Sequence, residues 1–346
     1  MTKVGAQGEK IRRFILGHVE QHPSDISKKT AEHFGITRQA VHRHLRHLVT
    51  EKALLEHGQT RSRSYKLAPT LEWRKVFTSL PELAEDVIWR NEIAPTIGQL
   101  PENVMHIWHY GFTEIFNNAI DHSEGTAIRV DVRKNAATTE ITISDNGVGI
   151  FKKIQTALGL LDERHAVLEL SKGKLTTDPS RHSGEGIFFC SRMFDDFGIL
   201  SGGVFFSHVF GDSEDWILEH ESIDRTIVWM KLDNHTSRTS KKIFDQHTTG
   251  EGYRFDKTIV PVKIAQYGDE QLISRSQAKR LVAGIEKFKI VIFDFSGVDM
   301  IGQAFADEVF RVFAKRHTGV NLKHINANAE VMKLIERATS TDIEKP

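Results

Sequence analysis

Three short motifs combine the residue types that a phosphate-bearing ligand requires. The first supplies a carboxylate, an amide and an imidazole, the second a carboxylate beside a sharp turn, and the third a pair of glycines before a helix. In chain order they are Glu114-x-x-x-Asn118-Ala-x-x-His122, Asp145-x-Gly147-x-Gly149 and Gly184-x-Gly186. Each motif alone is weak evidence, but the ordered set predicts an ATP site.

The first motif places three polar side chains on one helix face. Glu114, Asn118 and His122 are four residues apart, and the pattern predicts a helix over 101–122. A polar stripe on an otherwise buried helix needs a cleft or a polar network. Asn118 offers an oxygen suited to Mg²⁺, and Glu114 can orient or deprotonate an attacking water or hydroxyl. For His122, a phosphate contact and simple capping of the helix end are both open, and the neighbouring Asn117 is secondary.

The second motif follows a strand predicted over 140–144. That strand would direct Asp145 into a cleft, where its carboxylate can accept a hydrogen bond from an adenine amino group. Gly147 and Gly149 let the chain turn closely past the base, although Asp-Asn-Gly is also an ordinary turn sequence.

The third motif opens an apolar helix predicted from residue 187 to residue 197. Free backbone amides at a helix start, reached past Gly184 and Gly186, form an anion site. The basic residues upstream, Lys172, Lys174 and Arg181, are predicted to fold over the phosphates, with Lys174 as a nucleotide ligand.

In this order the motifs resemble the N, G1 and G2 boxes of the GHKL ATPases, which include Hsp90, type II gyrase subunits, MutL and histidine kinases. The resemblance covers roughly residues 80–233 and implies a Bergerat-fold pocket with Mg-ATP. The order of predicted helices and strands itself predicts an α/β sandwich with one mixed sheet. The resemblance further implies that Asn118 holds the metal, Asp145 binds adenine and Glu114 acts as base. The form ending in His122 is closest to the anti-sigma-factor serine kinases.

Charge is distributed unevenly along a chain whose net charge is zero. Residues 1–70 contain 13 Lys and Arg against 6 Asp and Glu, so the remaining 276 residues carry a net charge of −7. A basic head on an acidic body indicates a polyanion-binding module joined to something else.

The head, residues 1–70, is predicted to be a winged helix. Apolar spacing predicts one helix over 10–20, and a cap at Ser24 or Asp25 predicts a second helix through Phe34. Thr37 can cap a third helix that runs to about residue 50, and a strand–turn–strand pattern follows. This arrangement resembles winged helix-turn-helix DNA-binding domains.

Polar residues of the third helix and the wing would contact double-stranded DNA. Arginine and glutamine can pair with base edges, and wing arginines suit phosphates. The candidates are Arg38, Gln39, His42, Arg43, Arg46, Arg61 and Arg63. The alternative is a solvated basic face on a protein-binding or dimerising winged helix.

The rest of the chain divides into further units. Residues 71–100 are predicted as a helical connector, 101–233 as the ATP-binding domain and 234–252 as a polar linker. Alternating strands and helices over 253–346 predict a third, mostly parallel α/β domain.

The segment Asp294-Phe-Ser-Gly-Val298 resembles the STAS domain of anti-sigma-factor antagonists, which are substrates of the anti-sigma kinases. Where those proteins carry a phosphoacceptor serine at the following helix start, this chain reads Met300-Ile-Gly-Gln-Ala-Phe305. Ser296 is earlier and more suited to stabilising the turn. The domain is therefore predicted to be STAS-like and to bind a protein partner, and a phosphorylation switch within the chain is disfavoured.

Bulk composition predicts a cytoplasmic protein. No stretch of eighteen apolar residues and no apolar signal core at the start are found, and Cys190 is the single cysteine. No long helical hairpin bearing a phosphoacceptor histidine precedes the ATP-site helix, which disfavours a sensor histidine kinase.

Together these features predict a multidomain α/β regulator in which Mg-ATP binding or slow hydrolysis switches a DNA-bound head. The alternative is a protein serine/threonine kinase acting on a separate STAS-domain protein. A structural adaptor with a vestigial pocket is disfavoured by the intact Glu114 and Asn118. A homodimer is compatible with either function.

Overall fold

The computed structural model describes residues 5–59, 62–78, 80–175, 184–212, 215–249, 254–266 and 271–340. The predicted multidomain α/β organisation is confirmed: a small helical head with a hairpin precedes two α/β units. Within the described ranges, no helix is both long and apolar enough to cross a membrane.

The head has the element order expected of a winged helix. Its elements are α1 (Ala6–His18), α2 (Ile26–Phe34), α3 (Arg38–Thr50), β1 (Leu54–His57) and β2 (Ser64–Leu67). Gly35, in the left-handed conformation (φ 63°), ends α2, and the Thr37 hydroxyl caps α3 by accepting from the backbone N–H of Ala40 at 3.2 Å. Val41, Leu45 and Leu48 of α3 are buried in an apolar cluster separate from the main core.

The prediction of a wholly helical connector over 71–100 is wrong. Residues Pro69–Thr78 form β3, which pairs antiparallel with β4 (Ala127–Asn135) at the edge of the central sheet. Leu71, Trp73 and Phe77 face the core, a period of two that indicates a strand. Only the part after residue 79 is helical. It comprises a 3₁₀ turn Leu80–Glu82, α4 (Glu85–Ile88), a π-helix Trp89–Ile93 and α5 (Ala94–Ile97).

The central domain is a five-stranded sheet covered by helices. Its remaining elements are α6 (Glu102–His122), β5 (Thr138–Asp145), α7 (Ile150–Leu158), α8 (Glu163–Lys172), α9 (Gly186–Met193), β6 (Asp196–Val209) and β7 (Trp216–Asp233). The strand order is β3-β4-β5-β7-β6. Every pair is antiparallel, so the predicted mixed sheet is a wrong expectation.

The edge of the sheet is one long hairpin, β6–β7. Register shifts near Gly202 absorb an irregular stretch without ending the strand. The segment between the second and third motifs contains α7 and α8, whose buried faces include Phe151, Ile154 and Val167.

The C-terminal unit has a three-stranded parallel sheet in the order β10-β9-β8. Its elements are β8 (Lys257–Pro261), a 3₁₀ turn Val262–Ala265, α11 (Arg275–Val282), a 3₁₀ turn Ile285–Lys287, β9 (Ile290–Asp294), α12 (Gln303–Asp307), a π-helix Glu308–Phe313, α13 (Ala314–Arg316), β10 (Asn321–Ile325) and α14 (Ala329–Ser340). The linker predicted over 234–252 contains a helix, α10 (Ser240–Gln246).

The central and C-terminal units share one apolar core. Phe255, before β8, lies 4.6 Å from Phe188 and 4.9 Å from Phe189 of α9, measured between ring centroids. Phe244 of α10 adds a ring 4.6 Å from Phe189. Buried apolar contacts of this kind are the main stabilising term in folding, so the two units are packed as one body.

Candidate functional site

A cavity of about 270 Å³ opens between α6, the sheet and the third motif, Gly184-x-Gly186. It brings together six of the predicted site residues, namely Glu114, Asn118, His122, Asp145, Gly184 and Gly186. Apolar side chains form the rest of its wall, among them Ile143, Ile150, Ile154, Leu170, Leu175, Ile187 and Val228. A mostly apolar cleft with a few convergent polar groups is the usual form of a small-molecule site.

Asp145 ends β5 and lines the cavity. The residue is 8% exposed, and its carboxylate accepts a hydrogen bond from the backbone N–H of Gly147 at 2.9 Å. Burial raises the pKa of Asp145, and hydrogen bonds from Gly147 and Thr226 oppose that rise. The side chain is thus an acceptor held among the apolar residues that line the cavity.

Thr226 was missed at the sequence level. It pairs with Asp145 across β5 and β7, lines the cavity, and hydrogen-bonds to the Asp145 carboxylate. Its hydroxyl also accepts from the backbone N–H of Ile150 at 3.1 Å. A threonine in a β-strand gives no signal by itself, since only the strand register sets it beside the aspartate.

Glu114 and Asn118 line the same cavity from α6, four residues apart as the sequence spacing predicted. A β-carbon built on Gly186 would collide with Glu114 Oε2, so the glycine leaves the space that the carboxylate fills. Asn117, treated as secondary, also lines the cavity, as does Lys153, whose ammonium donates to the His122 carbonyl oxygen at 2.8 Å.

The glycines of the second motif shape the site without lining it. A β-carbon on Gly147 would collide with the carbonyl oxygen of Ser123, so the Asp145 turn packs directly on the end of α6. Gly149 has a φ of 89° and precedes α7. In the third motif Gly184 is left-handed (φ 72°) and its carbonyl oxygen accepts from the backbone N–H of Leu175 at 3.0 Å.

The two lysines of the predicted cation cover that the structure describes both contact the C-terminal unit. The Lys174 ammonium lies 4.8 Å from the Phe288 ring centroid and donates to the Lys287 carbonyl oxygen at 3.4 Å, away from the cavity lining. Burial lowers the pKa of Lys174. Lys172 is also turned towards the C-terminal unit, because that unit supplies carbonyl oxygens and the cavity side is apolar. Arg181 lies outside the described residues.

The predicted DNA-contact residues are mostly accessible. Arg38, Gln39, Arg43 and Arg46 are exposed on α3, and His42 is half-buried. Arg63 is half-buried and its Nε lies 2.6 Å from Glu56 Oε1 on the paired strand, so the guanidinium is already engaged. Arg61 lies outside the described residues.

Two family models match the chain. Residues 107–207 match the histidine kinase-, DNA gyrase B-, and HSP90-like ATPase family. Residues 277–332 match a STAS-like domain of unknown function (DUF4325). The chain contains a GHKL-type ATPase domain and a STAS-like domain. No curated protein matches the chain significantly.

The ATPase match covers the cavity from α6 to β6, which includes all three glycine and acid motifs. The residues present fit a purine nucleotide: a largely apolar cavity contains the Asp145 acceptor, and the Gly186 backbone lies beside Glu114. Asn118 and Glu114 offer one amide and one carboxylate, a set that suits Mg²⁺ with several water and phosphate ligands. Among the described residues no cluster of three or more His, Cys, Asp or Glu would hold a metal unaided.

The STAS-like domain has no hydroxyl at the start of α12, where Gly302 and Gln303 stand. Ser296 donates to Asp294 Oδ1 at 2.8 Å and accepts from the Asn326 side chain at 3.0 Å. The serine therefore stabilises the turn after β9, as the sequence predicted.

Proposed function

We propose that this chain is an ATP-binding regulator that binds double-stranded DNA through its head and changes its DNA affinity with the state of the Mg-ATP pocket. In this proposal Asp145 accepts from adenine, Asn118 holds Mg²⁺, His122 contacts phosphate and Glu114 is the base for slow hydrolysis. Gly184 and Gly186 allow the phosphates to approach the backbone.

One observation carries the coupling between head and pocket. Ala68 alone separates β2 of the wing from β3 of the ATPase sheet, and Ala68 donates its backbone N–H to the Ala53 carbonyl oxygen at 3.0 Å. Ala136, in the turn between β4 and β5, packs against the head cluster. A change in the sheet is therefore passed to the head without a flexible linker.

The positive charge of the head supports DNA as its partner. Arg38, Gln39, Arg43 and Arg46 present donors on one accessible helix, as a recognition helix in a major groove would. Such a switch can shift the populations of two states only by the difference in its affinity for them.

The test measures DNA affinity with the pocket filled and empty. Full-length protein is titrated into a labelled random-sequence duplex at fixed low salt, with and without Mg²⁺ and a non-hydrolysable ATP analogue. We expect the analogue to change the DNA affinity of the wild type severalfold and to leave the DNA affinity of Asp145→Asn unchanged. Equal wild-type affinity in both conditions contradicts the coupling.

A second candidate function is a protein serine/threonine kinase acting on a separate STAS-domain protein. The observation that favours it is the position of Glu114 in the cavity, together with the missing hydroxyl at the start of α12. Transfer of labelled phosphate to a partner protein would support the kinase, whereas release of free phosphate alone would support the switch.

A further inference from the structure

The ammonium group of Lys172 joins the ATPase domain to the STAS-like domain. The side chain is 1% exposed and donates to the carbonyl oxygens of Arg280 (2.8 Å) and Ala283 (2.9 Å), and to Glu169 Oε1 at 2.6 Å. The two carbonyl groups lie at the C-terminal end of α11, where a cation offsets the negative end of the helix dipole.

Neighbouring contacts hold the same segment from the STAS-like side. The Thr258 hydroxyl of β8 donates to the Lys172 carbonyl oxygen at 2.7 Å, and the Lys287 ammonium donates to the Lys174 carbonyl oxygen at 2.6 Å. Between them, Gly173 (φ 81°) packs so closely that a β-carbon there would lie 2.6 Å from the Phe255 ring.

The segment held in this way is also a wall of the nucleotide cavity. Leu170 and Leu175 lie on either side of residues 172–174, and both leucines line the cavity. The backbone N–H of Leu175 in turn donates to the Gly184 carbonyl oxygen, and Gly184 lines the cavity as well. A continuous series of packed and hydrogen-bonded groups thus runs from α11 to Gly184 of the third motif.

We propose that Lys172 is a positioning residue for the nucleotide site and makes nucleotide affinity depend on docking of the chain's own STAS-like domain. The inference rests on the proposed nucleotide function. The contacts of Lys172 with the STAS-like domain hold Leu170 and Leu175 in place as the apolar wall of the cavity. The docked arrangement therefore binds nucleotide more tightly. By linkage, bound nucleotide tightens the docking by the same factor, and a signal that loosens the STAS-like domain releases nucleotide.

The experiment compares variants of the full chain. Lys172→Met removes the ammonium and keeps the length of the stem, while Thr258→Val removes one interdomain hydroxyl from the STAS-like side. The matched control is Ser274→Ala, which breaks the capping box at the opposite end of α11 and touches none of these groups. Affinity for Mg²⁺ with a non-hydrolysable ATP analogue is measured by calorimetry.

We expect Lys172→Met to weaken binding of the analogue by about fivefold or more, the usual lower bound for coupled sites. Thr258→Val should weaken it by about twofold or more, as expected for one lost hydrogen bond, and Ser274→Ala should bind as wild type does. Hydrogen exchange supplies the reciprocal readout: the analogue should slow exchange at residues 280–288 in wild type and have less effect in Lys172→Met.

Wild-type affinity in both Lys172→Met and Thr258→Val overturns the inference and leaves the nucleotide function intact. If Ser274→Ala loses as much affinity as Lys172→Met, general loosening explains the loss and the inference is also overturned. Absence of binding by the wild-type chain defeats the nucleotide function itself, and the inference with it. If Lys172→Met does not fold, Thr258→Val against Ser274→Ala decides the question.

Discussion

Gly186 leaves room for Glu114: a β-carbon on residue 186 would take the place of Glu114 Oε2 at one corner of the cavity. The glycine begins α9, and the glutamate lies on α6. Beside its proposed role in phosphate approach, the third motif therefore fixes where the carboxylate of the first motif can lie.

Replacing Gly186 by alanine should displace the Glu114 carboxylate and lower turnover. The obstructing atom is the far end of a flexible side chain, so we expect the fold to persist with a loss of stability of about 1 kcal/mol or less. Phosphate release at saturating Mg-ATP, together with thermal melting, checks this. Wild-type turnover in Gly186→Ala would contradict the steric relationship.

Glu114→Ala should retain nucleotide binding and lose turnover. Removal of a general base slows the chemical step by about 100-fold or more, whereas the proposed adenine acceptor, Asp145, is untouched. The measurement is a pair of assays, calorimetric affinity and phosphate release or transfer. A variant that loses affinity and turnover in equal measure would show that Glu114 serves in binding.

Asp145→Asn should abolish measurable nucleotide binding without destabilising the chain. The variant removes the charge of the acceptor, and burial already disfavours that charge, as the raised pKa of Asp145 shows. Affinity of the wild type should therefore weaken on acidification at a pH above the ordinary aspartate range, because the carboxylate protonates earlier. Titrations from pH 7.5 downwards test this, and a pH-independent wild-type affinity speaks against Asp145 as the acceptor.

Arg43→Ala should weaken DNA binding by about tenfold and leave nucleotide affinity unchanged, because Arg43 is exposed on α3 and away from the cavity. Anisotropy with a random-sequence duplex gives the affinity. Arg90→Ala is the control, since that arginine is exposed outside the head. Equal losses in the two variants would point to a general charge effect.

His247 should make the stability of the chain depend on pH. Burial lowers the pKa of His247 to about 3, helped by the nearby charges of Arg192 and Lys257. The unfolded chain takes up a proton near pH 6.5 and the folded chain does not, so folding is stabilised above that pH and loses stability as the pH falls. One protonation over 1.5 pH units is worth about 2 kcal/mol.

The check is the free energy of unfolding of wild type and His247→Leu at pH 6.5 and pH 5. We expect the leucine variant to lose about 2 kcal/mol less over this interval, because leucine takes up no proton in the unfolded chain. Leucine is also compatible with the site, since the neighbours of His247 include the aromatic rings of Phe188, Phe189 and Phe255. Identical pH dependence in the two proteins would place the histidine in contact with water.

Sequence patterns located most of the nucleotide site and the order of elements in the head. Glu114, Asn118 and His122 could be placed on one face because helical spacing is a local property. The Asp145 turn and the start of α9 are likewise encoded by adjacent residues. The residue type of Thr37 indicated that it caps the start of α3.

The features that the sequence did not predict depend on partners that are distant in the chain. Strand β3 reads as part of a helical connector until β4 is available to pair with it, and Thr226 is an ordinary strand residue until β7 aligns it with Asp145. The ammonium groups of Lys172 and Lys174 were expected at phosphates, and packing gave them carbonyl oxygens more than a hundred residues away.

The sequence by itself determined which chemistry is present: the carboxylates, amide and glycines of a nucleotide pocket, and the basic head. Only the tertiary structure decided which of these groups meet, which lysines turn away, and that the STAS-like domain packs against a wall of the pocket. The reason is physical. Residue type and helical or strand spacing fix local geometry, whereas burial and long-range hydrogen bonds choose among the contacts that local geometry leaves open.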